Sequence, residues 1–150
     1  MHVAEQARSR ITTLVSAVPA LTGNVYQSRV YQIPKERLPA AVVMGEGETV
    51  EPVVKGRIQP ALQKRIVKTS VFLFARNAET VEADLLALVS EVETSIFSDP
   101  TLQGVAVQTT LESREPFIGS EPSLPIGAMW LTFASVIYTK EGLPEQAIQQ

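Results

Sequence analysis

The chain has 150 residues, the size of one ordinary domain, with 45% hydrophobic residues and a formal net charge of −3. It has no cysteine, and its one histidine, His2, stands near a chain end where we expect no fixed geometry. These counts nearly exclude disulfides, thiol nucleophiles, soft-metal sites and histidine general bases, so we expect a protein that works by contact and is not an enzyme.

No membrane partner is expected, because no apolar run approaches the roughly 20 residues that a spanning helix needs. Charged residues interrupt the first fifteen positions, so no signal peptide is predicted either. The sequence therefore indicates a soluble protein that is not secreted.

The first third of the chain predicts one helix followed by short strands. Apolar residues recur at three- and four-residue steps over about residues 3–17, which is typical of an amphipathic helix. Residues 25–32, 39–44 and 50–58 are shorter apolar stretches that we interpret as strands. Prolines and a glycine at the end of this region indicate an edge strand or a projecting hairpin arm.

The stretch Gly45-Glu46-Gly47-Glu48 is the one glycine pair with a conceivable phosphate-binding role. It lacks the lysine and the following Ser or Thr of a P-loop, and its carboxylates would repel phosphate. We interpret it as a turn between two strands, within a projecting hairpin over residues 45–60.

The rest of the chain predicts a strand, a second helix and two more strands. Residues 67–75 place apolar side chains on one face and run into a helix over about residues 78–97, with Asn77 as its N-cap. A half-buried strand over about 105–112 and a long strand over about 129–138 follow.

The element order predicts an α+β fold in which two helices pack on a mostly antiparallel sheet. About three or four strands lie between the two helices. With three strands there, the element order is α-β-β-β-α-β-β. We expect a single domain over residues 1–150, with a polar, frayed tail at 141–150.

Charges are unevenly placed along the chain. Residues 52–78 carry six cations and no acid, whereas residues 79–121 carry nine acids and one arginine. Either these are solvated faces that neutralise each other within one chain, or they are complementary surfaces on neighbouring copies. Nucleic-acid binding is a weaker third interpretation, because the basic segment is sparse and the chain is acidic overall.

No group of residues passes as a reactive site. The spacing of Glu112, Glu115 and Glu121 is not that of an EF-hand loop. We therefore interpret these three residues as solvated loop charges rather than as a carboxylate pair or metal ligands. Ser120 lacks the flanking glycines of a nucleophile elbow. We assign no catalytic residue, no metal ligand and no cofactor.

Several stretches, taken together in their order, resemble phage tail terminator proteins of the minor tail protein U type, found in long non-contractile tails. They are Arg29-Val30-Tyr31, Leu38-Pro39-Ala40-Ala41-Val42-Val43, Ser98-Asp99-Pro100-Thr101-Leu102-Gln103-Gly104-Val105, Leu124-Pro125-Ile126-Gly127-Ala128-Met129-Trp130-Leu131-Thr132-Phe133 and Val136-Ile137-Tyr138. With the element order, the resemblance covers roughly residues 1–140.

The resemblance implies a structural role without an active site. Such proteins form a ring, usually hexameric, that caps the last ring of major tail protein, stops polymerisation and offers a surface for head joining. The implied partners are further copies, the major tail (tube) protein and a head–tail connector or head completion protein. Packaged DNA would pass through the ring without sequence-specific recognition. The implied location is the virion tail, after assembly in the host cytoplasm.

Contact residues are inferred here from charge and polarity. The hairpin at 45–60 and the loop at 112–124 are long, charged and too polar for the core. The interface candidates are Glu46, Glu48, Glu51, Lys55, Arg57, Arg65, Glu112, Arg114, Glu115 and Glu121. We expect Lys55, Arg57 and Arg65 to face acidic residues on a partner. These are Glu112, Glu115 or Glu121 on the next subunit, or acids on the tail tube.

Three alternatives stay open at this point. The first is a head-side completion or neck factor of similar size. The second is a small dimeric binding module for a peptide or small molecule. The third is an enzyme, which would have to work with hydroxyls and carboxylates alone.

Overall fold

The computed structural model describes residues 1–27, 38–53, 61–76, 80–118 and 126–148. A short 3-10 turn at Pro19–Leu21 follows the first helix. The helices and strands of this part are, in chain order, α1 (Val3–Ser16), β1 (Val25–Gln27), β2 (Ala40–Pro52), β3 (Leu62–Arg76), α2 (Val81–Phe97), β4 (Gln108–Ile118) and β5 (Ile126–Lys140).

The strands form one sheet in the order β1-β2-β3-β5-β4. β1 pairs with β2 in parallel, and the other neighbours are antiparallel. The two long central strands pair along their whole length, from Leu62 with Lys140 to Arg76 with Ile126. The predicted α+β fold, with two helices on a mostly antiparallel sheet, is confirmed.

One face of the sheet packs against both helices. On β3 this face carries Val67, Thr69, Val71, Leu73 and Ala75, all of which are buried, as their alternation predicted. α1 and α2 turn their apolar stripes into the same core. The buried helix residues are Val3, Ala7, Ile11, Leu14 and Val15 on α1 and Leu85, Leu88, Val89, Val92 and Ile96 on α2.

Gly127 on β5 lies beneath the first turns of α2. A Cβ at this position would stand 2.6 Å from Cγ2 of Val81 and 2.9 Å from Cδ1 of Leu85. Glycine therefore allows α2 to approach the sheet closely here. By contrast, a Cβ on Gly45 in β2 would meet no atom within 4 Å.

An ion pair joins the two helical segments on the outer side of the core. Nε of Arg10 in α1 donates to Oδ2 of Asp99, just after α2, at 2.8 Å. Burial raises the pKa of the Asp99 carboxyl, but the hydrogen bond and charge of Arg10, with the backbone N–H of Gln103, lower that pKa by more. The pKa of Asp99 therefore lies below its ordinary value.

The predicted turn at Gly45–Glu48 is wrong, because β2 runs through it as one strand. Gly45 lies opposite Thr69 and Glu48 opposite Val67, so two residues of β2 oppose one residue of β3. This is a β-bulge, and Gly47 accommodates it with a φ of +90°. The extra residue changes which side chains face the helices, from the odd-numbered ones before the bulge to the even-numbered ones after it.

The predicted loop at 112–124 is wrong over its first half. β4 continues to residue 118, because Glu112 forms a second bulge between Leu111, opposite Phe133, and Ser113, opposite Thr132. Pairing with β5 supplies backbone hydrogen bonds that the polar sequence did not reveal. This strand also begins at Gln108, later than predicted. Residues 119–125 lie outside the described residues.

The start of α2 differs from the prediction. The helix begins at Val81 with Thr80 as its N-cap residue, about one turn later than expected. The predicted cap, Asn77, lies outside the described residues.

The C-terminal segment is tied to the domain as far as residue 148. The backbone N–H of Val3 donates to the carbonyl of Pro144 at 2.9 Å, and that of Ile148 donates to Tyr138 at 2.8 Å. Ala147 forms a bridge with Thr139. Where composition predicted fraying, these hydrogen bonds hold the segment beside α1 and β5.

Candidate functional site

Apart from Arg65, which is on the inner strand β3, the described interface candidates lie towards two opposite edges of the sheet. Glu46, Glu48 and Glu51 are on β2, whereas Glu112, Arg114 and Glu115 are on β4. β3 and β5 separate these two edges, so they are about 14 Å apart, or three strand spacings. Lys55, Arg57 and Glu121 lie outside the described residues.

Within the described residues, each edge has backbone with no strand neighbour on one side, and we call these the free edges. β4 has a described neighbour, β5, on one side. β1 covers β2 as far as Val43, so residues 44–52 have no described neighbour on that side. Each free edge carries a bulge, charged side chains and a proline, Pro52 or Pro116, which protect natural sheets from nonspecific pairing.

Arg65 lies inside the fold of the single chain and is only 8% exposed. Its Nε donates to Oγ1 of Thr139 at 2.9 Å, one terminal nitrogen donates to Oε1 of Glu48 at 3.1 Å, and the other donates to Gln63 at 3.3 Å. The bulge in β2 makes this pair possible, because it turns Glu48 to the helix side of the sheet. The predicted contact of Arg65 with a neighbouring subunit would have to break these bonds.

His2 is held in place, contrary to our expectation for a residue at a chain end. Its Nδ1 accepts the backbone N–H of Ala4 at 3.1 Å and so caps α1. Its Nε2 lies 3.6 Å from Oε1 of Glu48. The start of α1 is thereby fixed against the bulge of β2.

Glu112 also has a partner within the chain. Lys68 on β3 donates to its Oε1 at 2.8 Å, across the sheet face that is turned away from the helices. Both side chains are about two-fifths exposed, so the pair contributes little to stability. Arg114 and Glu115 are exposed and make no ion pair with another described residue.

The face of the sheet opposite the helices, which we call the uncovered face because no helix of the described residues packs on it, carries an aromatic pair. Ala40, Val42, Ser70 and Ala128 on this face are nonetheless buried. The rings of Phe72 and Trp130 stack with centroids 5.4 Å apart and planes 19° apart. Nε1 of Trp130 donates to Oγ of Ser70 at 2.8 Å, yet Trp130 remains 38% exposed. Both helices pack on the other face, and no helix of the described residues lies over this pair.

Sequence reasoning did not select this aromatic pair as a site. The alternation along β5 puts Trp130 on the side of the strand opposite its buried apolar side chains, but it does not say which residue lies beside it. The pairing of β3 with β5 was needed to bring Phe72 beside it, since register places these two residues directly opposite each other.

A cavity of about 360 Å³ lies on the helix side of the sheet, between the start of α1, the β2 bulge and β3. Glu48 and Thr69 line it, and Oε2 of Glu48 and Oγ1 of Thr69 are buried without a hydrogen-bond partner. We call it the bulge cavity. The cations Arg8 and Lys68 line it as well, so the cavity presents donors, acceptors and both signs of charge.

Within the described ranges, no group of three or more His, Asp or Glu residues could hold a metal ion. In the same ranges no helix is both long enough and apolar enough to cross a membrane.

Comparison with known proteins found little. No family model matches the chain, and no curated protein matches it. A solved structure titled "Virion of native gene transfer agent (GTA) particle" contains a similar chain, with a TM-score of 0.45, 14% identity and 92% of each chain covered. At this level of likeness, the function of the present chain has to be argued from its own residues.

Proposed function

We propose that this protein is a structural virion component that caps a growing phage tail tube as a ring of identical copies. In this role it ends tail polymerisation and presents the surface to which the head is joined. The proposal starts from the sequence stretches that resemble tail terminator proteins and from the α+β fold that accompanies them.

The uncovered face is the observation that carries the proposal. Trp130 is fixed by stacking and by a hydrogen bond, so little side-chain entropy remains to be lost when a partner covers it. Tryptophan is enriched among the residues that dominate protein interfaces. An ordered tryptophan that is 38% exposed beside Phe72 is thus suited to protein contact.

The two free edges support a ring in particular. In a closed ring each copy must contact its two neighbours through two different patches. The β2 edge beyond Val43 and the β4 edge are different, lie on opposite sides of one sheet, and most of their described side chains are exposed. Partners in this proposal are further copies, the major tail protein and a head-side connector or completion protein, within the virion tail.

The test is to add purified protein to major tail protein while tubes polymerise, and to measure tube lengths by electron microscopy. We expect shorter tubes as the amount of added protein rises. Trp130→Ala should need at least about tenfold more protein for the same shortening, since a central tryptophan anchor contributes that much to binding. Leu143→Ala is the control, because Leu143 is also exposed, at 43%, but lies on the C-terminal segment.

Unchanged tube lengths with the unmodified protein would refute the proposal. Binding to heads instead of tubes would favour a head completion factor. A stable dimer in sedimentation, without any effect on tubes, would favour a small binding module.

A further inference from the structure

A row of three side chains crosses the uncovered face from β3 to β4. Strand pairing places Phe72 on one side of Trp130 and Glu115 on the other, both in register with it. Directly paired residues of antiparallel strands lie on the same face of a sheet, so all three side chains belong to the uncovered face. Glu115 is the member of this row that lies at the free edge of β4.

The stacking geometry shows which side of the indole is open. The ring centroids of Phe72 and Trp130 are 5.4 Å apart, close to the spacing of about 4.8 Å between neighbouring strands, and the ring planes differ by 19°. The two rings therefore stand side by side across the sheet. Phe72 covers one face of the indole, and the other face is turned towards β4 and Glu115. The indole N–H already donates to Ser70, so a partner meets the ring itself.

The carboxylate beside this ring is not neutralised by the described chain. Glu115 is exposed and makes no ion pair with another described residue. The adjacent cation, Arg114, is on the helix side of the sheet, because it pairs with the buried Leu131. Lys68, a cation on the uncovered face, is about 13 Å from the row along the strands, at four residues' distance, and binds Glu112.

An open aromatic face and an unpaired carboxylate favour the same kind of ligand. The face of an aromatic ring carries negative potential, and tryptophan attracts cations more strongly than the other aromatic side chains do. An arginine or lysine side chain that lies against the open indole face has N–H groups to donate to Glu115. Because Glu115 is exposed, its side chain is free to turn outward and accept them.

We propose that the row of Phe72, Trp130 and Glu115 binds a basic side chain, an arginine or a lysine, of the major tail protein. This inference rests on the proposed function, in which the uncovered face contacts the tail tube, and it names the chemistry of that contact. The two free edges are then left for the neighbouring copies of the ring.

The experiment removes the charge of Glu115 while keeping the size of its side chain. Tubes are polymerised from major tail protein, and the measured quantity is the concentration of added protein that halves the mean tube length. We expect Glu115→Gln to raise this concentration at least about fivefold, because the bound cation loses its counter-charge. The difference should narrow at high salt, which screens exposed charges.

Glu51→Gln is the matched control. Glu51 is exposed and pairs with Lys64, so it lies on the same face of the sheet but towards the opposite edge. The same loss of charge there should change the concentration by less than about twofold. Circular dichroism checks that each variant is folded.

A double-mutant cycle tests whether the ring and the carboxylate hold one ligand. Trp130→Leu keeps an apolar side chain at this position but removes the aromatic face. In that background Glu115→Gln should raise the concentration by less than about twofold, because no indole holds the cation beside the carboxylate.

The inference is overturned if Glu115→Gln shortens tubes as well as the unmodified protein does, or if its effect is the same with and without the indole. Weaker self-association of Glu115→Gln in sedimentation, with unchanged shortening of tubes, would also overturn it, because the cation would then belong to a neighbouring copy. In these cases the unmodified protein still shortens tubes, so only this contact is wrong. Tubes that grow to full length with the unmodified protein would remove the proposed function, and this contact with it.

Discussion

Replacing Arg65 tests whether this residue stabilises the single folded copy or the contact between copies. Its guanidinium bonds Glu48, Thr139 and Gln63 within one copy. We predict that Arg65→Met destabilises the isolated subunit, whereas an interface arginine would affect assembly alone.

The size of the effect follows from burial. Breaking a buried ion pair by removing one partner costs about 3–5 kcal/mol. The side chain of Glu48 is 23% exposed and that of Arg65 is 10% exposed, so water compensates in part. We therefore expect a loss at the lower end of this range, about 3 kcal/mol in the free energy of unfolding.

Urea unfolding of the isolated subunit, followed by circular dichroism, measures this loss. With slopes of about 1–3 kcal/mol per molar urea, the midpoint should fall by about 1–3 M. Lys140→Met is the control and should change the free energy of unfolding by less than about 0.5 kcal/mol, because Lys140 is exposed. A loss below about 1 kcal/mol for Arg65→Met would refute the reasoning from the buried pair.

Further predictions concern packing, pH and association. Gly127→Ala should lower the free energy of unfolding by about 1–2 kcal/mol through overpacking beneath α2, and Gly45→Ala should not; urea unfolding compares the two. The pKa of Asp99 is lower in the folded chain than in the unfolded chain, where it is about 3.9. The ion pair with Arg10 therefore stabilises the fold at pH values above the unfolded pKa. This stabilisation is lost as the pH falls through the folded pKa. Asp99→Asn should therefore flatten the acid side of the stability–pH curve below about pH 4, and an unchanged slope would contradict this. Because Trp130 is the single tryptophan, its emission should shift to shorter wavelength on assembly if a partner covers it, and a constant spectrum would exclude the uncovered face from the contact.

Much of the fold could be predicted because it depends on local periodicity. The three- and four-residue repeats of α1 and α2 and the alternation along β3 indicate which side chains are buried, and these predictions hold in the structure. Helix and strand faces need no knowledge of partners, since each is set by the geometry of its own segment.

The candidate site was predicted less well, because ion pairs and bulges depend on which strands meet. Arg65 and Glu48 are 17 residues apart in the chain and become neighbours through the β2–β3 pairing. The glycines around Glu46 are typical of a turn as well as of a bulge, and only the continued pairing beyond them decides between the two.

The amino-acid sequence alone determined the element order, the covered face of the sheet and the lack of cysteine chemistry. Tertiary structure alone decided the side of the sheet on which Glu48 and Arg114 lie. Each follows a bulge, and one extra residue in a strand with a two-residue period moves every later side chain to the other face. The placement of these charges at opposite edges is therefore a property of strand pairing, which no single segment carries by itself.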